Sequence, residues 1–217
     1  MNSLVDNNDP RSLASTLRRR RLRWLVELME DIPEPVRILD VGGTAQFWTN
    51  NRDLLLRRYH ITVLNLTASA SPALSDITFV AGDARSMPQF RDGEFDICFS
   101  NSVIEHVGTW QDQQSMAREV QRISTRQFVQ TPSRYFPIEP HFLVPGWQFL
   151  PIPLRAFLLT KFKIGWMDRQ PTYASALAEV KQIRLLTETE MKTLFPHASI
   201  EREKFAGFTK SFVAVGK

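Results

Sequence analysis

Apolar and polar residues follow periods that change from segment to segment along the chain, and these periods predict its secondary structure. Leucines and a methionine at helical spacing predict an N-terminal helix over residues 11–31. Short β-branched apolar runs, each closed by polar residues or glycine, predict five strands. These runs cover residues 36–41, 61–66, 77–81, 95–100 and 127–130. Helical spacing predicts further helices over residues 45–59 and 111–123.

Strands that alternate with helices are typical of an α/β protein with one doubly wound, mostly parallel, Rossmann-like sheet. Such a sheet binds ligands beyond the carboxyl ends of its strands. Polar residues stand at four of these predicted ends: Asp40, Asn65, Asp83 and Asn101. We therefore expect a ligand site at this edge. A helix capped by Thr187 and two strands over residues 198–204 and 211–215, antiparallel if they form a hairpin, complete the prediction.

Residues 133–186 interrupt the alternation with a stretch rich in proline and aromatic residues. In folds that share one cofactor site, insertions select the substrate. We therefore predict that this insert is a substrate lid within a single domain over residues 1–217. Its aromatic residues predict a small satellite core, and two alternatives stay open. Residues 147–163 could contact a membrane surface, or the insert could join two copies of the chain.

Composition narrows the class of protein without naming a function. Hydrophobic residues make up 43% and charged residues 23%, which is typical of a globular domain. The net charge of +4 is too small to predict a nucleic-acid partner. The single cysteine, Cys98, excludes an intrachain disulfide and a cysteine metal cluster, and we expect it in the core. No signal peptide or membrane-length apolar run is recognised, which favours a reducing, cytoplasmic setting. The arginine-rich run 18–23 predicts a solvated helix face, with a phosphate-bearing substrate or an anionic membrane surface as the alternative partner.

A glycine turn follows the first strand, in residues 40–44 (Asp-Val-Gly-Gly-Thr). Glycine allows a sharp turn and a close approach of the backbone to a ligand. The free N–H groups of the next helix face the same place. A pyrophosphate-binding turn requires G-x-G-x-x-G, but Thr44 and Phe47 stand at its second and third glycine positions. The turn therefore disfavours an NAD(P)-dependent oxidoreductase, and the absence of G-K-[ST] excludes a P-loop.

Four segments in order carry a resemblance to a known family. They are residues 39–44 (LDVGGT), 82–84 (GDA), 95–107 (FDICFSNSVIEHV) and 130–141 (QTPSRYFPIEPH). Together they resemble class I S-adenosylmethionine-dependent methyltransferases, in the small-molecule branch related to ubiquinone-biosynthesis enzymes. The resemblance spans roughly residues 36–141. It implies S-adenosylmethionine as the cofactor and a small-molecule acceptor, and the apolar insert suits a lipophilic one.

The resemblance also implies which residues hold the cofactor. Asp40 corresponds to the acidic residue near the amino-acid end of the cofactor, and Asp83 to the residue that takes the adenine amino group. Asn65 stands where the family normally has an acid for the ribose hydroxyls. The implied cofactor-binding set is Asp40, Gly42, Gly43, Thr44, Asn65, Leu66, Asp83, Ala84, Asn101 and Ser102.

Methyl transfer requires the acceptor atom in line with the methyl group, and a base only where the acceptor must lose a proton. His106 follows the fourth strand and His141 begins the insert, so both are candidate bases. The alternative for each is a structural role. The pair favours oxygen as the acceptor atom. Arg134, Tyr135 and Glu139 are candidate substrate contacts, and no metal site is predicted.

Two other functions stay open on the sequence. Asn65 and the missing glycines are compatible with a catalytically silent methyltransferase fold that serves as a binding or scaffold protein. An NAD(P)-dependent oxidoreductase on a similar sheet is the weaker alternative, because its glycines are missing.

Overall fold

The computed structural model describes residues 13–51, 58–67 and 76–217, and side chains from residue 19 onward. Its strands are β1 Val36–Val41, β2 Tyr59–Asn65, β3 Ile77–Ala81, β4 Phe95–Asn101, β5 Ser124–Pro132, β6 Ser199–Phe205 and β7 Phe208–Gly216. They form one sheet in the order β3-β2-β1-β4-β5-β7-β6. Strands β1 to β5 are parallel, and β7 runs antiparallel to both β5 and β6. The predicted doubly wound sheet with an antiparallel C-terminal pair is confirmed.

The helices pack on both faces of this sheet. They are α1 Leu13–Met29, α2 Ala45–Asn50, α3 Trp110–Ile123, α4 Ile152–Lys161, α5 Tyr173–Lys181 and α6 Glu188–Leu194, with 3-10 turns at Ile104–His106 and Trp147–Phe149. The predicted end of the helix 45–59 is wrong, because Tyr59 is the first residue of β2. Its inward leucines, in residues 54–56, lie outside the described residues, as do the side chains of Leu13 and Leu17. Thr187 caps α6 through a capping box with Glu190, as predicted.

The side chains of β4 alternate between two hydrophobic clusters, one on each face of the sheet. Successive side chains of a strand point to opposite faces. Cys98 is fully buried in the cluster built on α3, while Ile97 and Phe99 are buried in the cluster built on α1 and α2. The burial of Cys98 confirms its predicted core position and raises the pKa of its thiol. Each fully buried side chain of this size contributes about 1.5–3 kcal/mol of hydrophobic stabilisation.

The arginine-rich run of α1 is only partly a solvated face. Arg20 and Arg23 are exposed, as predicted. The prediction is wrong for Arg21, which is buried with its Nε 3.2 Å from Glu203 Oε1 on β6 and its Nη1 2.6 Å from Asn101 Oδ1. A buried guanidinium requires such partners, because its desolvation is otherwise very costly. The sequence pattern of the run does not indicate which of its arginines forms an ion pair with an acidic residue of β6.

The insert, residues 133–186, packs as a unit of its own. An isolated bridge pairs Ser133 with Leu186 and brings its two ends together. Helices α4 and α5 enclose a satellite core, as predicted, made of Phe142, Trp147, Ala156, Leu159, Ala176 and Val180. Most of the insert's large aromatics lie outside that core and are exposed: Tyr135, Phe149, Phe157, Phe162, Trp166 and Tyr173. In the described part of the chain, every helix is too short or too polar to cross a membrane.

Candidate active site

A cavity of about 450 Å³, the first cavity, opens at the carboxyl ends of β1, β2 and β4. Six of the ten residues predicted to bind the cofactor line it: Gly42, Asn65, Leu66, Asp83, Ala84 and Ser102. Val103, Arg85 and His106 also line it, and sequence reasoning did not connect the first two with this site. The sheet edge predicted to bind a ligand therefore does carry a cavity. The other four predicted residues, Asp40, Gly43, Thr44 and Asn101, do not line it.

The turn after β1 requires both of its glycines. Gly42 has a φ of +75°, and a Cβ there would lie 2.5 Å from Val103 Cγ2. A Cβ on Gly43 would lie 1.6 Å from Asp40 Oδ2. Glycine therefore lets the backbone turn directly over the carboxyl group of Asp40.

Asp40 lies beneath this turn and is almost completely buried. Trp48 Nε1 on α2 donates to its Oδ2 at 2.6 Å, while its Oδ1 is buried without a partner in the described part of the chain. Burial raises the pKa of Asp40 to about 7, although the bond from Trp48 acts in the opposite direction. An unpaired buried oxygen of this kind favours a ligand donor or cation at the turn.

A hydrogen bond made by Asn65 explains why an amide stands at the end of β2, where an acid was expected. Its Nδ2 donates to the carbonyl oxygen of Gly43 at 2.9 Å. A carboxylate at this position would present an oxygen to that carbonyl and repel it. The amide therefore holds the turn in place, and its Oδ1 is left as an acceptor at the cavity wall.

Two of the predicted cofactor residues have other roles. Thr44 caps the six-residue helix α2 by accepting the N–H of Phe47 at 3.3 Å. The side-chain oxygen of Asn101 accepts from Arg21, on the α1 side of the sheet. Ser102, in contrast, lines the first cavity, and its Oγ donates to Gln130 Oε1 at 2.9 Å.

The charges of the first cavity are balanced within the protein. Asp83 Oδ2 lies 2.6 Å from Arg85 Nη2, and this hydrogen bond lowers the pKa of Asp83. Arg85 also lies 3.3 Å from Asp112. Arg85 is the one Lys or Arg among the described lining residues, so the cavity offers no spare cation to a pyrophosphate. This charge balance suits a nucleoside without phosphate groups.

The two predicted histidines meet at the edge of the first cavity. His106 lines it, and its Nε2 lies 3.1 Å from His141 Nε2, with the two rings nearly perpendicular at 87°. His141 Nδ1 lies 2.7 Å from Glu139 Oε1. Glu139 is buried, and its other oxygen accepts the backbone N–H groups of His141 and Phe142 at 2.8 and 2.7 Å. The three side chains therefore form a fixed chain, Glu139–His141–His106.

The electrostatics of the two rings differ. The loss of surrounding water and, to a smaller extent, the nearby charge of His141 lower the pKa of His106 to about 4, against the opposing charge of Glu139. Burial also lowers the pKa of His141, but its hydrogen bond and charge interaction with Glu139 outweigh this and raise the pKa above the ordinary value. A proton shared by the pair is therefore held by His141, and His106 stays neutral at neutral pH.

Glu105 is the alternative partner for these rings. It is buried, its Oε2 accepts from Thr131 Oγ1 at 2.9 Å, and its Oε1 has no partner among the described residues. Burial raises the pKa of Glu105 to about 7. Glu105, His106 and His141 offer three potential ligand atoms within 4.8 Å of one another, so this group can also hold a metal ion.

A second cavity of about 510 Å³ lies between the loop before α3 and the insert. It adjoins the first, since Val107 lines the first cavity and Gly108 lines the second. Its walls combine apolar side chains with four cations and one acid: Phe142, Ile152, Val180, Ile183, Leu185, Arg134, Arg155, Lys181, Arg184 and Glu139. Two of the predicted substrate residues, Arg134 and Glu139, are therefore brought together here. Tyr135 is exposed and stacks on Phe149 instead, with ring centroids 6.2 Å apart.

A comparison with protein families gives a match over the part of the chain that forms this edge of the sheet. A family described as a methyltransferase domain matches residues 39–127, which include the turn after β1, the residues that line the first cavity and the first four residues of β5. No curated protein sequence matches the chain.

Solved structures resemble the whole chain in fold. An S-adenosylmethionine-dependent methyltransferase from Methanosarcina mazei is 16% identical over 85% of this chain and 94% of its own, with a TM-score of 0.52. Magnesium protoporphyrin IX methyltransferase from Synechocystis PCC 6803, with bound S-adenosylhomocysteine, is 11% identical over 94% of this chain and 85% of its own, with a TM-score of 0.52. A structure from Rhodobacter sphaeroides, provisionally named a zinc-dependent alcohol dehydrogenase, is 12% identical over 92% and 97%, with a TM-score of 0.54.

At identities this low, the structural likenesses show the fold alone, and they include an enzyme named as a dehydrogenase. The family match is what decides between a methyltransferase and an oxidoreductase, in agreement with the missing pyrophosphate glycines. The finer resemblance to ubiquinone-biosynthesis enzymes stays a prediction. Residues 39–127 therefore match a methyltransferase domain, and the strand order is that of the class I S-adenosylmethionine-dependent methyltransferase fold.

Proposed function

We propose that this enzyme methylates a hydroxyl oxygen of a small, partly apolar acceptor, with His106 as the base. The observation that supports this proposal is the chain Glu139–His141–His106. It starts at a residue that lines the second cavity and ends at one that lines the first. A base of this kind is needed where the acceptor must lose a proton, as a hydroxyl must.

The first cavity fits the cofactor. S-adenosylmethionine supplies a methyl group on a positively charged sulfur and carries no phosphate. The residues present offer acceptors and backbone groups for its hydroxyl, amino and adenine groups. These include the unpaired Oδ1 of Asp40, the Oδ1 of Asn65 and the carboxylate of Asp83. We infer that Gly42 and Gly43 allow the backbone to approach it, with Leu66, Ala84 and Ser102 along the cavity wall.

The proton path follows from the hydrogen bonds. Glu139 accepts at Oε1, so the Nδ1 of His141 carries a hydrogen and its Nε2 is an acceptor when the ring is neutral. His106 then donates its Nε2–H to His141, which leaves its own Nδ1 free to take the acceptor's hydroxyl proton. As that proton arrives, the Nε2 proton of His106 moves to His141. The buried carboxylate of Glu139 stabilises the resulting imidazolium.

The insert, residues 133–186, acts in this proposal as the substrate lid. It supplies the apolar wall of the second cavity and the Glu139–His141 pair. Its outer side exposes Phe149, Phe157 and Phe162 beside Lys161, whose Nζ lies 5.6 Å from the Phe157 ring centre. We propose that this surface rests on an anionic membrane, where a lipophilic acceptor would be found. A dimer contact is the alternative for the same surface, and a cytoplasmic setting stays a prediction.

The function is tested by binding and by transfer. Calorimetry should detect binding of S-adenosylhomocysteine and no binding of NADH. Methyl-labelled S-adenosylmethionine should label phenols and hydroxy acids in a panel that also contains amines and thiols. His106→Ala should lower turnover about 10²- to 10³-fold, the usual contribution of a general base, with unchanged affinity for S-adenosylhomocysteine. His197→Ala, which removes an exposed histidine on the way to β6, is the matched control and should change neither.

Each other outcome has a defined meaning. Binding without transfer to any acceptor would support a silent scaffold. Transfer that disappears with a chelator and returns with a divalent cation would assign Glu105, His106 and His141 to a metal ion instead of a proton path. Full turnover in His106→Ala would contradict a side-chain base at this position.

A further inference from the structure

Three cations that line the second cavity form no ion pair in the part of the chain that the structure describes. They are Arg134, Arg155 and Lys181. The Nε of Arg155 is buried without a hydrogen-bond acceptor. The one carboxylate in the cavity wall, Glu139, has both oxygens occupied by His141 and by backbone N–H groups.

Arg184 lies in the same cavity wall, and its guanidinium has both hydrogen-bond and ion-pair partners. It donates to Gln113 Oε1 at 2.7 Å and forms an ion pair with Glu190. Its guanidinium also lies 5.0 Å from the ring centre of Trp110. The lack of partners at Arg134, Arg155 and Lys181 is therefore a property of these three positions and not of the cavity as a whole.

Arg155 is partly buried, whereas Arg134 and Lys181 are exposed, so the cost of an unpaired charge falls mainly on Arg155. Burial lowers the pKa of Arg155; the charge of Glu139 acts against this, and repulsion from the nearby Arg134 adds to it. A buried N–H without an acceptor carries a further desolvation cost. A ligand with a carboxylate or phosphate group would remove both penalties, and Arg presents its donors in a fork that matches such groups.

The other side of the cavity is apolar. Phe142, Ile152 and Val180 line it, together with Ile183 and Leu185. A ligand that fills the cavity therefore needs an apolar body as well as an anionic group. A free inorganic anion would leave the apolar wall uncovered, and a neutral hydrocarbon would leave the cations unpaired.

We propose that the second cavity binds the methyl acceptor through an anionic group, so that the substrate is a hydroxylated organic carboxylate or phosphate with an apolar body. Arg155 and Lys181 hold the anionic group together with Arg134, and the apolar wall holds the rest. This inference rests on the proposed function, because it assigns the acceptor of that reaction.

The test measures binding and does not depend on turnover. The protein, saturated with S-adenosylhomocysteine, is titrated with benzoate, phenyl phosphate and the neutral analogue benzamide, and dissociation constants are taken from ligand-observed NMR. We expect at least one anion to bind about tenfold more tightly than benzamide. The tighter of the two anions distinguishes a carboxylate from a phosphate acceptor.

Matched variants locate the effect. Arg155→Met and Lys181→Met should each weaken anion binding about five- to tenfold and leave benzamide binding unchanged. Lys192→Met removes an exposed lysine of α6 that pairs with Glu188, and it should leave all three constants unchanged. Lys181 is exposed, so its variant carries the test if Arg155→Met fails to fold.

Two results would overturn the inference. One is equal affinity for benzoate, phenyl phosphate and benzamide. The other is a loss of anion binding in Lys192→Met as large as in Lys181→Met, which would indicate a nonspecific charge effect. Failure of the proposed function looks different, because the protein would then not bind S-adenosylhomocysteine, or His106→Ala would keep full turnover, whatever the anions do.

Discussion

The two cavities of this methyltransferase are built in opposite ways. The first lies at the ends of neighbouring parallel strands, and its charged groups are paired inside the protein, as Asp83 is with Arg85. The second lies between the loop before α3 and the insert, and three of its cations form no ion pair among the described residues. The difference in charge pairing indicates which chemical group of a ligand each cavity can pair with. This contrast is the basis on which we propose a cationic nucleoside for the first cavity and an anionic acceptor for the second.

The Glu139–His141–His106 chain connects these two regions. Glu139 belongs to the insert and lines the second cavity, while His106 follows β4 and lines the first. Neither region alone contains the complete proton path. The base that we propose therefore depends on the contact between the insert and the turn after β4.

Removing the charge of Glu139 should break the connection between the regions. In Glu139→Gln we expect turnover to fall roughly 10- to 100-fold, because the imidazolium of His141 loses its carboxylate. Turnover should rise with pH through the pKa of His141, since a protonated His141 forces His106 to accept at Nε2 and carry its proton on Nδ1. Glu139 holds that pKa above its ordinary value, so the midpoint should move to lower pH in the variant, where only the charge of Glu105 opposes burial.

A pH–rate profile of both proteins measures this shift. Glu201→Gln, on β6, is the control and should keep the wild-type midpoint. An unchanged midpoint in Glu139→Gln would show that this carboxylate does not govern the reaction.

Removing the charge of Asp40 should affect the first cavity alone. In Asp40→Asn we expect affinity for S-adenosylhomocysteine to fall about tenfold, the worth of one charge-assisted hydrogen bond. The folded-state pKa of Asp40, about 7, is raised above the unfolded value. Its stability contribution is therefore complete below about pH 3.8 and is lost as pH rises through 7. The variant should be more stable than wild type above pH 7, by about 1 kcal/mol or more.

Calorimetry gives the affinity, and urea unfolding at pH 5 and pH 8 gives the stability. Anion binding in the second cavity should stay unchanged and serves as the internal control. A variant that loses stability at pH 8 would contradict the assignment of a strained, buried carboxylate.

The smallest expected effect concerns the outer surface of the insert. Phe157→Ser combined with Phe162→Ser should lower binding to vesicles that contain phosphatidylglycerol by about fivefold, because two exposed rings no longer enter the lipid interface. Both side chains are at least half exposed, so the free energy of unfolding should change by less than about 1 kcal/mol. Vesicle sedimentation measures the bound fraction.

Phe208→Ser, an equally exposed phenylalanine at the start of β7, is the control and should bind vesicles as wild type does. Loss of self-association in the double variant, with unchanged vesicle binding, would favour the dimer contact instead.

Local patterns in the sequence were sufficient for the sheet. The apolar runs of β1 and β3 have the bounds that were predicted, because a buried strand needs a continuous apolar run and a glycine or polar residue ends it. The two glycines of the turn and the histidines near both cavities were also identified from residue type and order. Prediction failed at the end of α2, where the helical spacing of apolar residues continued into the region before β2. Helix α5 was missed, since its short sequence lies inside an irregular insert.

The sequence by itself determined the family, the sheet edge and the residue types available for chemistry, because these depend on neighbours along the chain. The tertiary structure alone decided which of those residues act together. It turned Asn101 towards Arg21, gave Asn65 to the Gly43 carbonyl and brought His141 to His106. It also gathered Arg134, Arg155 and Lys181 from separate segments into one cavity. The physical reason is that charge pairing and burial are set by distances between segments far apart in the chain, and no local period records those distances.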